Sequence, residues 1–246
     1  MRFSLGFAAA AVALSLAGTA HTSPESIGAA VSDNSRPAAD RQADARRQPY
    51  KTILFSGVKQ GDVVGEFLPG GGYYTRMLSD VVGPHGKVYA LETTRWGQQN
   101  LDSTKAVTTE KGHENVKFDA SPFGEFHLPE PVDVFWTTLN YHDLHIAKYG
   151  TVDMAKFNKH VYDSLKPGGI YFITDHVANA GTTDEQIATL HRIDKDVVIK
   201  EVTAAGFQLV GESGALHRTG DDHTKPVFDK SVQGHTDQFM LKFRKA

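Results

Sequence analysis

A doubly wound α/β fold with a mostly parallel sheet is what the chain's pattern predicts, on three observations. Short apolar runs alternate with longer segments whose apolar residues recur every three or four positions, the rhythm of strands alternating with amphipathic helices. A loop of three glycines, Gly70 to Gly72, closes the first apolar run and opens the next helix. Ile170 to Thr174 is apolar without interruption, as in a parallel strand covered on both faces.

The N-terminal residues stand apart from this pattern. Arg2, the apolar run Leu5 to Ala17 and the small residues Gly18, Thr19 and Ala20 have the order of a secretory signal. The apolar run is about 13 residues, short of the roughly 20 that span a bilayer. The expectation is therefore export, to the periplasm, with residues 1–20 removed and no stable membrane anchor. Residues 21–37, rich in Ser, Ala, Pro and Asn, read as a disordered leader. Residues 38–246 read as one domain.

Within that domain the elements follow in order. Ala38 to Gln48 has helix-forming residues and ends at Pro49, and a short helix follows over Lys51 to Ser56, stopped by Gly57. Asp62 to Phe67 is the first strand, Tyr73 to Val82 a helix, Lys87 to Leu91 the second strand, Trp96 to Lys111 a helix, and Val116 to Phe118 the third strand. Val132 to Thr138 is the fourth strand and Asp153 to Leu165 a helix. Lys166-Pro167-Gly168-Gly169 is a turn and Ile170 to Thr174 the fifth strand. Thr183 to Ala205 reads as one long helix, Phe207 to Gly211 as a strand, 214–236 as a polar loop and Thr236 to Arg244 as the last strand.

Composition narrows the function. The 246 residues are 40% hydrophobic and 22% charged, enough to bury a core. A net charge of -3 argues against a nucleic-acid partner, which calls for a basic surface. With no cysteine, disulfides, thiolate nucleophiles and Cys-ligated metals are excluded.

In a doubly wound sheet, ligands sit at the carboxyl ends of the strands, so polar residues there are the candidates. Glycines 70, 71 and 72 allow close approach of backbone to a ligand, and the helix start behind them supplies free N–H groups. Glu66 ends the first strand, Glu92 the second and Asp119 the third. A carboxylate in the second position can accept both hydroxyls of a ribose, and one in the third can accept from an adenine amino group.

The stretch from Asp62 to Asp175 resembles class I S-adenosylmethionine-dependent methyltransferases, and the chain looks like a family of exported bacterial proteins of that class. The residues that carry the resemblance are GVKQGDVVGEFLPGGGYYTRMLS, VVGPHGKVYALE, LNYHDLH, LKPGGIYFITDH, LHRID and TDQFMLKFRK. It implies a Rossmann-like seven-stranded sheet with an antiparallel last strand, S-adenosylmethionine as cofactor, and Glu66, Gly70, Gly71, Gly72, Glu92, Asp119 and Asn140 around it. Leu68 stands where the family's loop has its first glycine, followed by Pro69. The methyl acceptor expected is a small molecule.

The position after the fourth strand faces the reacting methyl group in that family, which draws attention to Asn140-Tyr141-His142-Asp143. His142 and His176 are candidate general bases, since neutral imidazole can accept a proton near neutral pH. Asp143 or Asp175 can orient them, and His191 is a weaker candidate. The alternative for each is a structural histidine. Asn140, Asp175 and His176 also occupy places where a divalent ion can be held, but their spacing matches no standard signature, and no metal ligand is assigned. Tyr73, Tyr74, Phe123, Trp136 and Tyr141 are candidates for the pocket lining, and the loop with Asp221, Asp222, His223 and Thr224 is a candidate cover. The competing reading is a non-catalytic periplasmic ligand-binding or sensing protein on the same fold.

Overall fold

The computed structural model describes residues 23–246; the export signal read at 1–20 lies outside the described residues. Seven strands form one sheet in the order β3-β2-β1-β4-β5-β7-β6. They are β1 (Val63–Phe67), β2 (Lys87–Thr93), β3 (Val116–Ser121), β4 (Val132–Thr138), β5 (Leu165–His176), β6 (Phe207–Ser213) and β7 (Gln238–Lys245). β1 to β5 run parallel, while β7 is antiparallel to both β5 and β6. The helices are α1 (Pro24–Ser32), α2 (Ala38–Arg47), α3 (Pro49–Ser56), α4 (Tyr73–Val82), α5 (Gln98–Val107), α6 (Met154–Ser164), α7 (Asp184–Leu190) and α8 (Lys195–Ala204). Among the described residues no helix is long and apolar enough to cross a membrane.

Two apolar layers cover the sheet, one on each face. One holds Phe67, Phe135, Tyr171, Phe157 and Phe207. The other holds Val64, Trp136, Phe172, Met77 and Met240. The alternation along β4 explains the division: Phe135 and Trp136 are successive residues, so their side chains point to opposite faces. Every residue of β1 is buried, as double coverage requires.

Four expectations are corrected. The leader is not disordered from residue 23 on. Ser23 caps α1, and Ile27 and Ala30 of that helix are buried in the layer containing Met77. Arg36, 2% exposed, holds the connection: its guanidinium meets both Asp44 oxygens at 2.8 and 2.9 Å and donates to the Val31 carbonyl. Composition missed this because only two apolar side chains of α1 are buried, and the fixing ion pair lies outside the segment's local pattern.

The long helix expected over 183–205 is two helices. Thr183 and Gln186 form a capping box at the start of α7, and His191 ends it in the left-handed region at φ 54°. Arg192 then turns inward, fully buried, to bond Asp221 at 2.8 and 3.0 Å and the carbonyls of Val177 and Lys225. That capture overrides helix propensity. The helix expected over 96–111 is likewise broken, at Gly97 (φ 84°), into a 3-10 turn over Thr94–Trp96 and α5. The fifth strand begins early, at Leu165, so Pro167 and the two glycines lie inside an irregular strand start.

If α1 belongs to the folded domain, Ile27→Ala removes a fully buried side chain and costs about 2–4 kcal/mol. Urea denaturation of the two proteins should show a lower midpoint with an unchanged slope; an unshifted midpoint means that α1 is not docked.

Candidate functional site

The sheet reverses its order between β1 and β4. β1 leads to β2 and β3 on one side, and β4 begins the other side. Connections leaving the carboxyl ends of these neighbours diverge, and a crevice opens between them. A cavity of about 420 Å³ lies there, within the range of about 300–1,000 Å³ typical of small-molecule sites. Glu66 to Gly71 form one wall and Trp136, Thr138, Leu139 and Asn140 another. Tyr73 and Tyr74 of α4, and Asp40, Arg46 and Arg47 of α2, complete it.

Two strained residues shape the crevice. Leu68 (φ 53°) and Leu139 (φ 59°) both hold the left-handed conformation that ordinary residues avoid. Each follows its strand and donates to a neighbouring strand's carbonyl, Leu68 to Leu91 and Leu139 to Thr174, at 2.8 Å. The Asn140 amide links the two corners by donating to the carbonyls of Leu68 (2.9 Å) and Thr138 (2.8 Å). Leu68 thus keeps the backbone shape that a glycine would take, while its side chain joins the core.

The glycine loop is held from behind. Arg76, expected only as a helix residue, is buried and donates to the carbonyls of Gly71 (2.8 Å) and Gly72 (3.1 Å) while pairing with Glu110 at 2.6 and 2.8 Å. Gly72 (φ 79°) has no space for a side chain, since a Cβ there would stand 2.5 Å from Val107. A Cβ on Gly70 or Gly71 would meet nothing within 4 Å. These two glycines face open space.

Among the expected cofactor acids, Glu66 lines the cavity. It accepts from the Thr75 hydroxyl at 2.6 Å, and burial pushes its carboxyl up to about 7, assisted by the charge of Glu92. Glu92 lies beside the loop rather than on the cavity wall. Its carboxylate already accepts from the Thr93 N–H (2.8 Å) and the Thr104 hydroxyl (3.0 Å), and Thr104 also contacts the Gly70 carbonyl. Burial raises the Glu92 carboxyl as well. Asp119 does not follow the third strand but lies inside it, opposite Leu91, accepting from Ser121 at 3.1 Å.

The candidate bases lie apart from the cavity lining. His142 opens a 3-10 turn after β4 and is buried. Its Nδ1 donates to Asp175 Oδ1 at 2.7 Å, and the other oxygen of Asp175 accepts the His142 backbone N–H. Burial alone would depress the His142 imidazole, but the adjoining Asp175 and Asp143 reverse this and push it up to about 10. Asp143 is in turn held down at about 2, because bonds to His142 and His191 outweigh its burial. His176 bonds Thr236 (2.8 Å), and burial pushes it down to about 3. His176 is thus a neutral, structurally engaged imidazole, while the two carboxylates beside His142 favour a cation on its Nε2 side, a proton when no other cation is there.

Other expected groupings do not form. Asn140, Asp175 and His176 each serve different partners and make no common ion site. Tyr73, Tyr74 and Trp136 line the cavity, but Phe123 packs on Trp96 and Tyr149, and Tyr141 is fully buried with its hydroxyl on Glu201 and Asn158. Asp221 fixes Arg192 instead of covering the cavity. The pair Arg46-Arg47 reads in the sequence as solvated surface; its position on α2 becomes meaningful only once α2 covers the crevice.

No family profile matches the chain, and no curated protein sequence does. Solved structures do. A SAM-dependent methyltransferase from Aquifex aeolicus superposes with a TM-score of 0.59 at 20% identity, over 91% of this chain and 99% of that one. The fold is that of the S-adenosylmethionine-dependent methyltransferases. A putative sarcosine dimethylglycine methyltransferase from Galdieria sulphuraria matches at 0.58 and 15% identity over 87% and 89% of the two chains. The [4+2]-cyclase SpnF matches at 0.58 and 18% identity over 87% and 84%. At these identities the likeness is one of fold.

Glu66 should make the stability of this fold depend on pH. Its folded value of about 7 exceeds the ordinary 4.5. The native state therefore keeps a proton that the unfolded chain releases, and stability falls as pH rises between about 4.5 and 7. At about 1.4 kcal/mol per pH unit the loss over this interval is about 3.5 kcal/mol. Glu66→Gln should remove that component, so the variant gains on the wild type from pH 5 to pH 8 in urea midpoints. Parallel pH profiles would contradict the assignment.

Proposed function

We propose that the chain binds S-adenosylmethionine in the cavity at the ends of β1 and β4 and catalyses methyl transfer to a small-molecule acceptor. The observation that carries this reading is the cradle of Gly70 and Gly71, where backbone alone borders open space beside a buried acid. Arg47 adds a second fit: its Nε is buried without a hydrogen-bond partner, while its guanidinium lies 4.4 Å over the Tyr73 ring. A carboxylate-bearing ligand would supply the missing acceptor.

The cofactor supplies an electrophilic methyl group on a sulfonium. The chain's residues do the positioning. Gly70 and Gly71 would admit close backbone contact, and Arg47 would hold the amino-acid carboxylate. Glu66, protonated below about 7, would lose its proton to solvent on facing the ligand's ammonium group, whose charge favours the carboxylate. Tyr74 and Trp136, with rings 5.1 Å apart, offer aromatic faces of the kind that attract a cation. Catalysis on this reading comes mainly from alignment of acceptor and methyl group.

A second reading, ligand binding without turnover, is favoured by one observation: neither His142 nor His176 lies on the cavity wall. The SpnF match supports the wider point that this fold carries chemistry other than methyl transfer.

Gly71→Val separates binding from folding. Gly71 is exposed, its φ is not positive, and the added side chain enters open space, so stability should stay within about 0.5 kcal/mol. Calorimetric titration with S-adenosylmethionine and S-adenosylhomocysteine should show binding by the wild type and a loss on the order of tenfold or more, about 1.4 kcal/mol, in the variant. No heat and no thermal shift in the wild type at millimolar ligand would sink the proposal. Binding without release of S-adenosylhomocysteine in the presence of acceptor mixtures would favour the second reading.

A further inference from the structure

We propose that His142, Asp143 and His191 form a binding site for a divalent transition-metal ion of the zinc type, separate from the cofactor cavity. Three atoms from two chain segments converge. His142 Nε2 stands 3.3 Å from Asp143 Oδ1 and 3.3 Å from His191 Nδ1, and His191 Nδ1 stands 3.5 Å from Asp143 Oδ1. This is a nearly equilateral triangle of nitrogen, nitrogen and oxygen.

The size of the triangle fits a tetrahedral ion of zinc-like bond length. Two ligand atoms on a tetrahedral ion, each about 2.0–2.1 Å from it, stand about 3.3–3.4 Å apart. Neighbouring ligands on an octahedral ion with the same bond lengths stand about 2.8–3.0 Å apart, closer than any edge here. Two imidazoles and one carboxylate are also a donor set for zinc and related metals rather than for magnesium or calcium, which take oxygen. Three protein ligands leave the fourth position to water or to a substrate heteroatom.

The surroundings of the triangle fit the same assignment. Asp175 accepts the Nδ1 proton of His142 at 2.7 Å, which fixes the tautomer that leaves Nε2 free for an ion. Asp175 is itself fully buried and held by the backbone N–H groups of His142 (2.8 Å) and His176 (2.7 Å). A dication with Asp143 and Asp175 makes a group of zero net charge, which offsets the cost of burying it. His191 is locked by the left-handed end of α7, and the Phe228 ring meets its ring edge-on at 4.8 Å. The competing arrangement is a proton on His142 Nε2 shared with the two neighbours, without metal.

Zinc titration of the full chain, produced without an affinity tag and stripped with a chelator, distinguishes these. The site predicts one zinc per chain by elemental analysis after dialysis, and intense visible absorption of a four-coordinate ion when cobalt(II) replaces zinc. His191→Asn keeps a residue that tolerates the left-handed conformation, and circular dichroism verifies its fold. It should weaken zinc binding on the order of tenfold or more, as should Asp143→Asn. His223→Ala, which alters the separate His217-Asp237-His223 cluster, should leave binding unchanged. The proposal is overturned by the absence of stoichiometric zinc, by the pale spectrum of octahedral cobalt, by unaltered affinity in His191→Asn, or by loss of binding in His223→Ala. The readout needs no S-adenosylmethionine, so its result is independent of the methyl-transfer reading.

Discussion

The divergence of β1 and β4 at their carboxyl ends is the constraint on which the candidate site depends. Neighbouring parallel strands whose connections leave in opposite directions cannot close over their own ends. Leu68 and Leu139 turn the chain away in the left-handed conformation, and the Asn140 amide fastens the two corners together. Such strain persists only where surrounding structure over-determines it. Here the core burial of the Leu68 side chain and the strand-end hydrogen bonds of both leucines do so.

The buried guanidiniums of the fold are each paired with a carboxylate. Arg36 with Asp44 fastens α1 to α2, Arg76 with Glu110 holds the glycine loop, and Arg192 with Asp221 unwinds the long helix. In each case a planar guanidinium meets both oxygens of one carboxylate, the geometry that best repays desolvation. Asp44 also accepts from the Tyr73 hydroxyl at 2.7 Å, which ties the cover of the cavity to the helix beneath it. Glu66 and Glu92 depart from this pattern: each has hydrogen-bond donors but no cation at its carboxylate, burial raises both, and Glu66 holds its proton up to about 7.

The turn after β4 divides its residues between two tasks. Asn140 shapes the cavity, while His142 and Asp143 turn away from it toward Asp175 and His191. The 3-10 geometry of His142–His145 produces this separation. It also explains why His142, two residues from Asn140, does not reach the crevice; His176, at the end of β5, is held by Thr236 instead.

Much of the architecture was legible in the residues. The alternation of strands and helices, the boundaries of α4 and β4, and the placing of glycines at the end of β1 follow from local periodicity and turn chemistry, which act over a few residues. The antiparallel last strand came through resemblance. What local pattern did not hold is where paired charges meet: Arg36 lies 8 residues from Asp44 and Arg192 lies 29 from Asp221, and these contacts ordered the leader and split the helix. The candidate site divides in the same way. Sequence alone determined that Glu66 and Glu92 stand near the ends of their strands, because short apolar runs bounded by turn residues mark where strands stop, whereas Asp119 lies inside β3. Only the tertiary structure decided which side chains share a space, because Glu66 facing a cavity, Glu92 enclosed by Thr104, and His142 joined to His191 depend on distances between segments that no periodicity encodes.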